Sequence, residues 1–283
     1  MVSTENLLVR PRRLEESGEL MHFTPQSVGW EHLGFRAHRF RQGESLTAQT
    51  ADTEIALVLL GGRCSVESSA GVWKDFGRRL NVFDGRAYTL YLPIDVEYTL
   101  KAETDCEVAF CSCPAQRPFP AHLVTPEEIR VSIRGGGNAT RQICDVLPPE
   151  FAADRLIVVE VYTPAGNWSS YPPHKHDVHN PPEEVDLEEI YYYRMERPEA
   201  YAMQRVYSYD GRRDATLTVR DGELVLIPDG YHPVVAAHGY NVYYLNALAG
   251  SSRSLAASLD PKYSWVSQTW KEKDPRVPFV PDR

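Results

Sequence analysis

Asp221-Gly-Glu-Leu-Val-Leu-Ile-Pro228 is a turn dipeptide that feeds a short apolar run and stops at a proline. Glycine takes the positive φ that a tight turn needs, and proline cannot donate to a ladder, so a strand reaching it ends there. The same order recurs in the first half, where Asp84-Gly85 precedes Leu92-Pro93. Working outward, short segments rich in Val, Ile, Tyr and Thr alternate with turn signals: Ile55–Leu60, Ala87–Leu92, Val96–Ala102, Glu107–Cys111, Leu156–Tyr162, Ile190–Arg194, Thr216–Arg220, Leu224–Ile227 and Asn241–Leu245. Strands at this spacing predict an all-β chain of antiparallel sandwich or barrel type. The echo between the halves predicts a duplicated barrel. One short helix is expected at Thr125-Pro126-Glu127-Glu128, with a capping hydroxyl, proline at the first helical position and acids in the first turn.

The 283 residues are 42% hydrophobic and 24% charged, enough apolar surface to offset ordering entropy. Lys and Arg total 30 against 39 Asp and Glu, a net charge of −9. Without a Lys/Arg cluster such a chain repels phosphate backbones, so nucleic acid is not an expected partner. The longest apolar run, Ile55–Leu60, is far below the roughly 20 residues of a membrane span. The opening MVSTENLLVRPRR carries scattered charge and no apolar core, unlike a secretory signal. Five cysteines (Cys64, Cys106, Cys111, Cys113, Cys144) form no CxxC pair. They read as reduced, buried small hydrophobes of a cytoplasmic protein. The Pro-rich stretch 113–128, followed by Arg134-Gly-Gly-Gly-Asn138, predicts the connection between two units, 1–124 and 125–283.

The chemistry concentrates in the second half. In Gly166-Asn-Trp-Ser-Ser-Tyr-Pro-Pro-His174-Lys175-His176 the two histidines lie two apart, so on a strand both imidazoles project from one face and Lys175 from the other. Glu189 opens the run Ile-Tyr-Tyr-Tyr, and His232 follows the turn Pro228-Asp-Gly230-Tyr. In a closed barrel Glu189 and His232 can converge on the histidine pair from neighbouring strands. Three imidazoles and one carboxylate suit Zn, Mn, Fe or Ni and leave coordination positions open for a substrate. Glu183, Glu184 and Glu188 compete with Glu189; Glu189 is preferred because it leads directly into the aromatic strand. The first half has no such set: His22, His32 and His38 are not two apart.

The HxH pair, the downstream Glu and the Gly222-x5-Pro228-x-Gly230-x-His232 segment resemble the two motifs of the cupin superfamily. The spacing from His176 to Glu189 is longer than usual, and one residue rather than two separates Gly230 from His232. Longer stretches are similar to the 5-deoxy-glucuronate isomerase family, a bicupin family of inositol catabolism related to the 5-keto-4-deoxyuronate isomerases: RLIVVEVYTPAGNWSSYPPHKHD, EEIYYYR, RVYSYDGRRDATLTVRDGELVLIPDGYHPVVAAHGYNVYYLNALAG, FDGRAYTLYLP and RGGGNATRQICDVLP. The likeness spans about residues 5 to 270. It implies two jelly-roll β-barrels, the first without the metal motif, and a divalent ion on His174, His176, Glu189 and His232. It also implies a cytoplasmic aldose–ketose isomerase that turns 5-deoxy-glucuronate into 5-dehydro-2-deoxy-gluconate.

Such a reaction moves hydrogen from C2 to C1, with a metal polarising the carbonyl and stabilising an enediolate while a base serves the C2 proton. Strand parity puts Tyr191 and Tyr193 on the face of Glu189, where they would hold hydroxyls or relay protons, or simply fill the core. The substrate carboxylate calls for a cation: Arg141, Arg194 and Arg205 are candidates, with Arg205 preferred and Lys175 disfavoured by parity. His179 and His238 are expected beside the ligands or on the surface. Asp177–Glu188, between two ligands, is a candidate lid. The aromatic Tyr263–Trp270 suits either a partner subunit, making a homo-oligomer, or the chain's own barrel. Two other functions stay open: a dioxygenase using the same ligand set around Fe on an enediol, and a non-catalytic sugar-acid sensor for which the ligand set would be dispensable.

Overall fold

β-Branched and aromatic side chains pack best on a pleated surface, and the segments that carry them are extended. The computed structural model describes residues 7–12 and 17–280. There it contains twenty-three strands and two short 3-10 helices, so the chain is all-β. Every segment expected to be extended falls in a strand; Leu156–Tyr162, for example, becomes Ile157–Thr163. The expected helix at Thr125 does not form. Its cap closes as a single turn, with the Glu128 amide donating to Thr125 O at 3.1 Å and the Thr125 amide to the Glu128 carboxylate at 2.8 Å. Ile129 is then buried and the strand Arg130–Arg134 takes the chain before a second turn can add. Most of the opening segment read for a secretory signal lies outside the described residues.

The chain divides into two compact units. The N-terminal unit comprises, of the described residues, those within Pro11–Arg130 and Val146–Val158, with Val280. It has a six-stranded sheet in the order His122–Val124, Thr89–Leu92, Thr53–Gly61, Cys106–Pro114, Gly34–Phe40, Gly18–Phe23, and a four-stranded sheet in the order Ser45–Gln49, Glu97–Ala102, Cys64–Ser68, Gly71–Phe76. Its core takes alternate residues from both: Leu57 and Leu59, Leu90 and Leu92, Val108 and Phe110 from the first, Cys64 and Val66, Tyr98 and Leu100 from the second. That period of two is the signature of sheets that bury one face each.

The C-terminal unit carries a seven-stranded sheet in the order Leu8–Val9, Leu224–Ile227, Leu187–Met195, Val242–Gly250, Ile157–Thr163, Arg141–Leu147, Arg130–Arg134. A four-stranded sheet, in the order Trp168–Ser169, Val234–Ala236, Tyr201–Tyr207, Asp214–Arg220, completes it together with the ladder of His174–Lys175 on Ser258–Leu259. Side chains join the two sheets: Tyr193 Oη donates to Gln204 at 2.8 Å, and Ser169 Oγ lies 2.5 Å from Tyr244 Oη. The pairing redraws the single cut expected at 124/125. Leu8 and Val9 pair with Val225 and Leu224 in the C-terminal unit, while the segment that links the strands Arg141–Leu147 and Ile157–Thr163 belongs to the N-terminal one. A composition shift marks where a linker is rich in proline; it does not register strands that pair far along the chain.

All five cysteines are free and buried, as their apolar setting in the sequence suggested. Burial pushes the Cys106 thiol up to about 12 and the Cys64 and Cys111 thiols higher still. Among the described residues no helix is long and apolar enough to cross a membrane.

Candidate metal centre

The strand Leu187–Met195 is paired along both edges, with Glu189 opposite Ile227 on one side and Leu248 on the other. Parity then fixes Glu189, Tyr191 and Tyr193 on one face, and all three are buried. His174 sits on its two-residue ladder opposite Leu259. His176 is held at the start of the Glu189 strand by two bonds: its carbonyl accepts the Leu187 amide at 2.8 Å, and its ring Nδ1 donates to Leu187 O at 3.0 Å. His232 follows Gly230, whose φ of +85° and closeness to Tyr207 O, 2.5 Å from any added Cβ, admit glycine alone. Its Nδ1 donates back to Gly230 O at 2.9 Å.

These backbone bonds set the tautomers. A carbonyl can only accept, so Nδ1 carries the proton in His176 and His232, and Nε2 offers its lone pair to the interior. The ligand nitrogens of His174, His176 and His232 all lie within 4.8 Å of one another. Glu189 Oε2 reaches this triangle along two edges, 2.9 Å from His176 Nε2 and 3.2 Å from His232 Nε2. Burial, then the neighbouring imidazoles of His232 and His176, hold His174 well below its ordinary 6.5, which leaves it neutral and able to ligate. Burial also pulls His176 down, but its contact with the Glu189 carboxylate prevails and raises it. For Glu189 burial works upward, yet the adjoining imidazoles of His176 and His232 outweigh it and hold the carboxyl at about 2. His232 Nε2 is buried without an aligned hydrogen-bond partner. An orphaned nitrogen facing two imidazoles and a carboxylate fits a cation, so the residues present suit the implied metal.

A cavity of about 220 Å³ opens on this cluster, lined by His174, His176 and Glu189 together with Arg141, Ser170, Tyr191, Tyr244, Asn246 and the segment around Leu255–Leu259. Tyr191 thus lines it, its Oη 2.9 Å from Ser170 Oγ. Burial, then the charge of Glu189, lifts its phenol well above 10, so it stays protonated. Tyr193 stacks 6.2 Å behind Tyr191 and gives its proton to Gln204; it does not line the cavity. Arg205, preferred for the substrate carboxylate, is elsewhere. Its guanidinium makes two bonds to the Asp214 carboxylate at 2.8 and 2.7 Å and lies 4.1 Å over the Tyr207 ring. It stands on the strand Tyr201–Tyr207 of the four-stranded sheet, where Asp214 of the paired strand neutralises it. Arg194 likewise bonds Asp221 at 2.9 Å.

The competing carboxylates are engaged in holding a loop. Glu184 accepts the Asp177 and Val178 amides at 2.8 and 3.0 Å and the Lys175 ammonium at 2.7 Å. Lys175 also contacts Asp177, whose other oxygen accepts the Gly230 amide at 2.9 Å. Glu183 is exposed and Glu188 alternates to the opposite face from Glu189. His179, on the surface, pairs with Asp186 at 3.0 Å. Of the expected lid 177–188, Leu187 alone lines the cavity; its wall there is Leu255, Ala257 and Leu259 instead. The aromatic Tyr263–Trp270 segment runs over the chain's own glycine loop, with Trp270 packed on Gly136 and the Gly137 amide donating to Glu272 O at 2.6 Å.

Ser170, Tyr244 and Asn246 were not singled out beforehand. Ser170 adopts φ +49°, unusual for a non-glycine, and such strain gathers where a side chain must be aimed. Tyr244 faces Tyr193 across the ladder, a partner visible only once the register is known.

With the geometry in hand, likeness to known proteins is specific. The sequence profile of the KduI/IolB family matches residues 7–266. The 5-deoxy-glucuronate isomerase of Geobacillus kaustophilus is 43% identical over 264 residues, 93% of this chain and 96% of that protein. That of Bacillus subtilis strain 168 is 36% identical over 92% of this chain and 98% of its own length. Among solved structures, an IolB-like protein from Salmonella typhimurium LT2 superposes with a TM-score of 0.90 at 40% identity, covering 92% of this chain and 99% of its own. Oxalate decarboxylase of Bacillus subtilis, at 13% identity and a TM-score of 0.63 over 95% of this chain and 87% of its own, shares the fold: two cupin barrels in one chain. The matched length, the identity and the preserved fold agree: the chain belongs to the KduI/IolB family.

Proposed function

We propose that this protein is an intramolecular oxidoreductase of the cytoplasm that converts 5-deoxy-glucuronate to 5-dehydro-2-deoxy-gluconate in inositol catabolism, with a divalent ion on His174, His176, Glu189 and His232. The observation that carries the reading is the triangle of three imidazoles with Glu189 Oε2 at 2.9 and 3.2 Å from two of them, in a chain whose relatives bear that enzyme's name. A Zn, Mn, Fe or Ni ion bound there supplies a Lewis acid for the carbonyl and the neighbouring hydroxyl oxygen of an aldose.

The chain's own residues do the rest. The Nδ1–H bonds to Leu187 O and Gly230 O keep two imidazoles aimed before any ligand arrives. The Tyr191 hydroxyl, paired with Ser170 Oγ, stays protonated and can donate to a substrate oxygen that gains charge when hydrogen leaves C2. Tyr244, bonded to Ser169, holds the wall behind it. Leu255, Ala257 and Leu259 present apolar surface on the other side, which keeps water from the reacting carbons.

The test is a proton-NMR time course of metal-loaded protein with 5-deoxy-glucuronate in deuterated water, run anaerobically and, with oxygen uptake followed, in air. The expected result is conversion to the 2-ketose without oxygen uptake, abolished by His174→Ala. Deuterium at the product's C1 identifies proton transfer; its absence points to a hydride shift. No conversion by protein carrying a full equivalent of metal overturns the isomerase reading, and oxygen consumption would favour the dioxygenase.

A further inference from the structure

The cavity has a second chemical feature besides the histidine cluster. Arg141 lines it on the first residue of the strand Arg141–Leu147. Its Nη1 donates to two backbone carbonyls, Tyr171 O at 3.0 Å and Ala139 O at 3.2 Å. Among the described residues its Nε and Nη2 have no hydrogen-bond partner, and no carboxylate pairs with it. That idle edge of the guanidinium is the side-on fork that accepts a carboxylate through two parallel bonds.

The seat is built for it. Gly135, in the Arg134-Gly-Gly-Gly-Asn138 loop, has φ +78°, and a Cβ there would stand 2.0 Å from Ala139 O and 2.9 Å from Arg141 Nη1. Glycine therefore both makes the turn and clears room for the guanidinium. The ionisable groups around Arg141 are the phenols of Tyr244 and Tyr191 and the guanidinium of Arg134, which also lines the cavity. Arg141 is close enough to the cluster for its charge to help depress His174. In a protein of net charge −9, this cavity is lined by two guanidiniums as well as by the histidine cluster. Its own carboxylates are Asp145 and Glu189, the latter turned to the imidazoles; neither pairs with the open edge of Arg141, which is left to draw an anion from solution.

We infer that Arg141, seated by Gly135 and backed by Arg134, is the specificity residue that grips the carboxylate of an acidic sugar whose opposite end meets the histidine cluster. This rests on the isomerase reading and deepens it by assigning the residue that recognises the uronate carboxylate: Arg141, at the start of its strand beside the glycine loop, rather than Arg205.

The experiment compares metal-loaded wild type, Arg141→Gln and Arg141→Lys on 5-deoxy-glucuronate and on its neutral counterpart 5-deoxy-glucose, with metal content measured for each. Arg141→Gln is expected to lose on the order of a hundredfold in kcat/KM on the acid, mostly through KM, and less than about threefold on the neutral sugar. Arg141→Lys, which keeps charge but not the fork, should fall between, and it alone decides the matter if the Gln variant does not fold. Equal losses on both sugars, or undiminished preference for the acid, overturn the inference. Should the wild type isomerise neither sugar, the isomerase reading fails separately. Calorimetric binding of D-glucuronate against D-glucose to the same proteins then decides: acid binding at least about tenfold weaker in Arg141→Gln supports the grip, and equal binding overturns it.

Discussion

Glu54 offers a demanding test of how the N-terminal unit is held together. It is fully buried, and its carboxylate gathers partners from three distant places. Oε1 accepts the Arg155 and Leu156 amides at 2.6 and 2.7 Å and the Cys113 thiol at 3.5 Å; Oε2 accepts Tyr91 Oη at 2.6 Å and the Asp154 amide at 2.8 Å. This one side chain fastens the returning segment Val146–Val158 to the strand Thr53–Gly61. Consider Glu54→Gln. The amide oxygen can serve the Arg155 and Leu156 side, which leaves its NH2 toward Tyr91 and Asp154. The Tyr91 hydroxyl can turn to accept, but the Asp154 N–H cannot. One amide thus loses its acceptor at about 1–3 kcal/mol, and the surviving bonds lose charge assistance at roughly 0.5–1 kcal/mol each. With three such bonds surviving, the total is about 2.5–6 kcal/mol. At roughly 2–4 °C per kcal/mol, the first melting transition of Glu54→Gln should fall by about 10 °C in scanning calorimetry at neutral pH, with metal content unchanged. A fall of less than about 2 °C would refute the reasoning, because it would mean that the buried amides find other acceptors at no cost.

Three further outcomes follow from the same structure. Tyr191→Phe removes the hydroxyl that faces Ser170; steady-state assays should show kcat reduced about a hundredfold with bound metal intact, and an unchanged kcat would relegate Tyr191 to core filling. Glu184 is held at about 2, since hydrogen bonds from Lys175 and the loop amides outweigh burial. With its carboxyl lower in the folded than in the unfolded chain, its contribution is complete above about pH 4.5 and fades as pH falls toward 2. The difference in melting temperature between wild type and Glu184→Gln should therefore be full at pH 7 and shrink through that window; a difference constant with pH would contradict the pairing. Arg205→Ala breaks a half-exposed ion pair with Asp214, so stability should change by less than about 1 kcal/mol and turnover should stay near wild type.

How much of this was readable from residues alone differs by element. The His174–His176 pair and Glu189 were, because strand parity is local: i and i+2 share a face whatever the tertiary structure does. His232 was, because Gly230 must sit where it does for the turn to form. Arg205 was misjudged because the sequence shows a cation but not its partner, and the neutralising Asp214 lies nine residues away across a hairpin. Arg141 drew no special weight because its seat depends on the left-handed Gly135 and on Tyr171 O, thirty residues on. The Glu54 knot was invisible, since its amide partners are a hundred residues distant. The loop 177–188 looked like a lid by position; Glu184 and Asp177 make it a fastened rim. The turn at Thr125 had every mark of a helix start except a following helical stretch.

Anomalous diffraction from crystals loaded with Mn2+ or Zn2+ addresses the central claim most directly. The account predicts one strong peak bounded by the Nε2 atoms of His176 and His232, a ring nitrogen of His174 and the Glu189 carboxylate, lost in His176→Ala. A peak held elsewhere in the chain, or none at saturating metal with the four side chains in their present places, would contradict it.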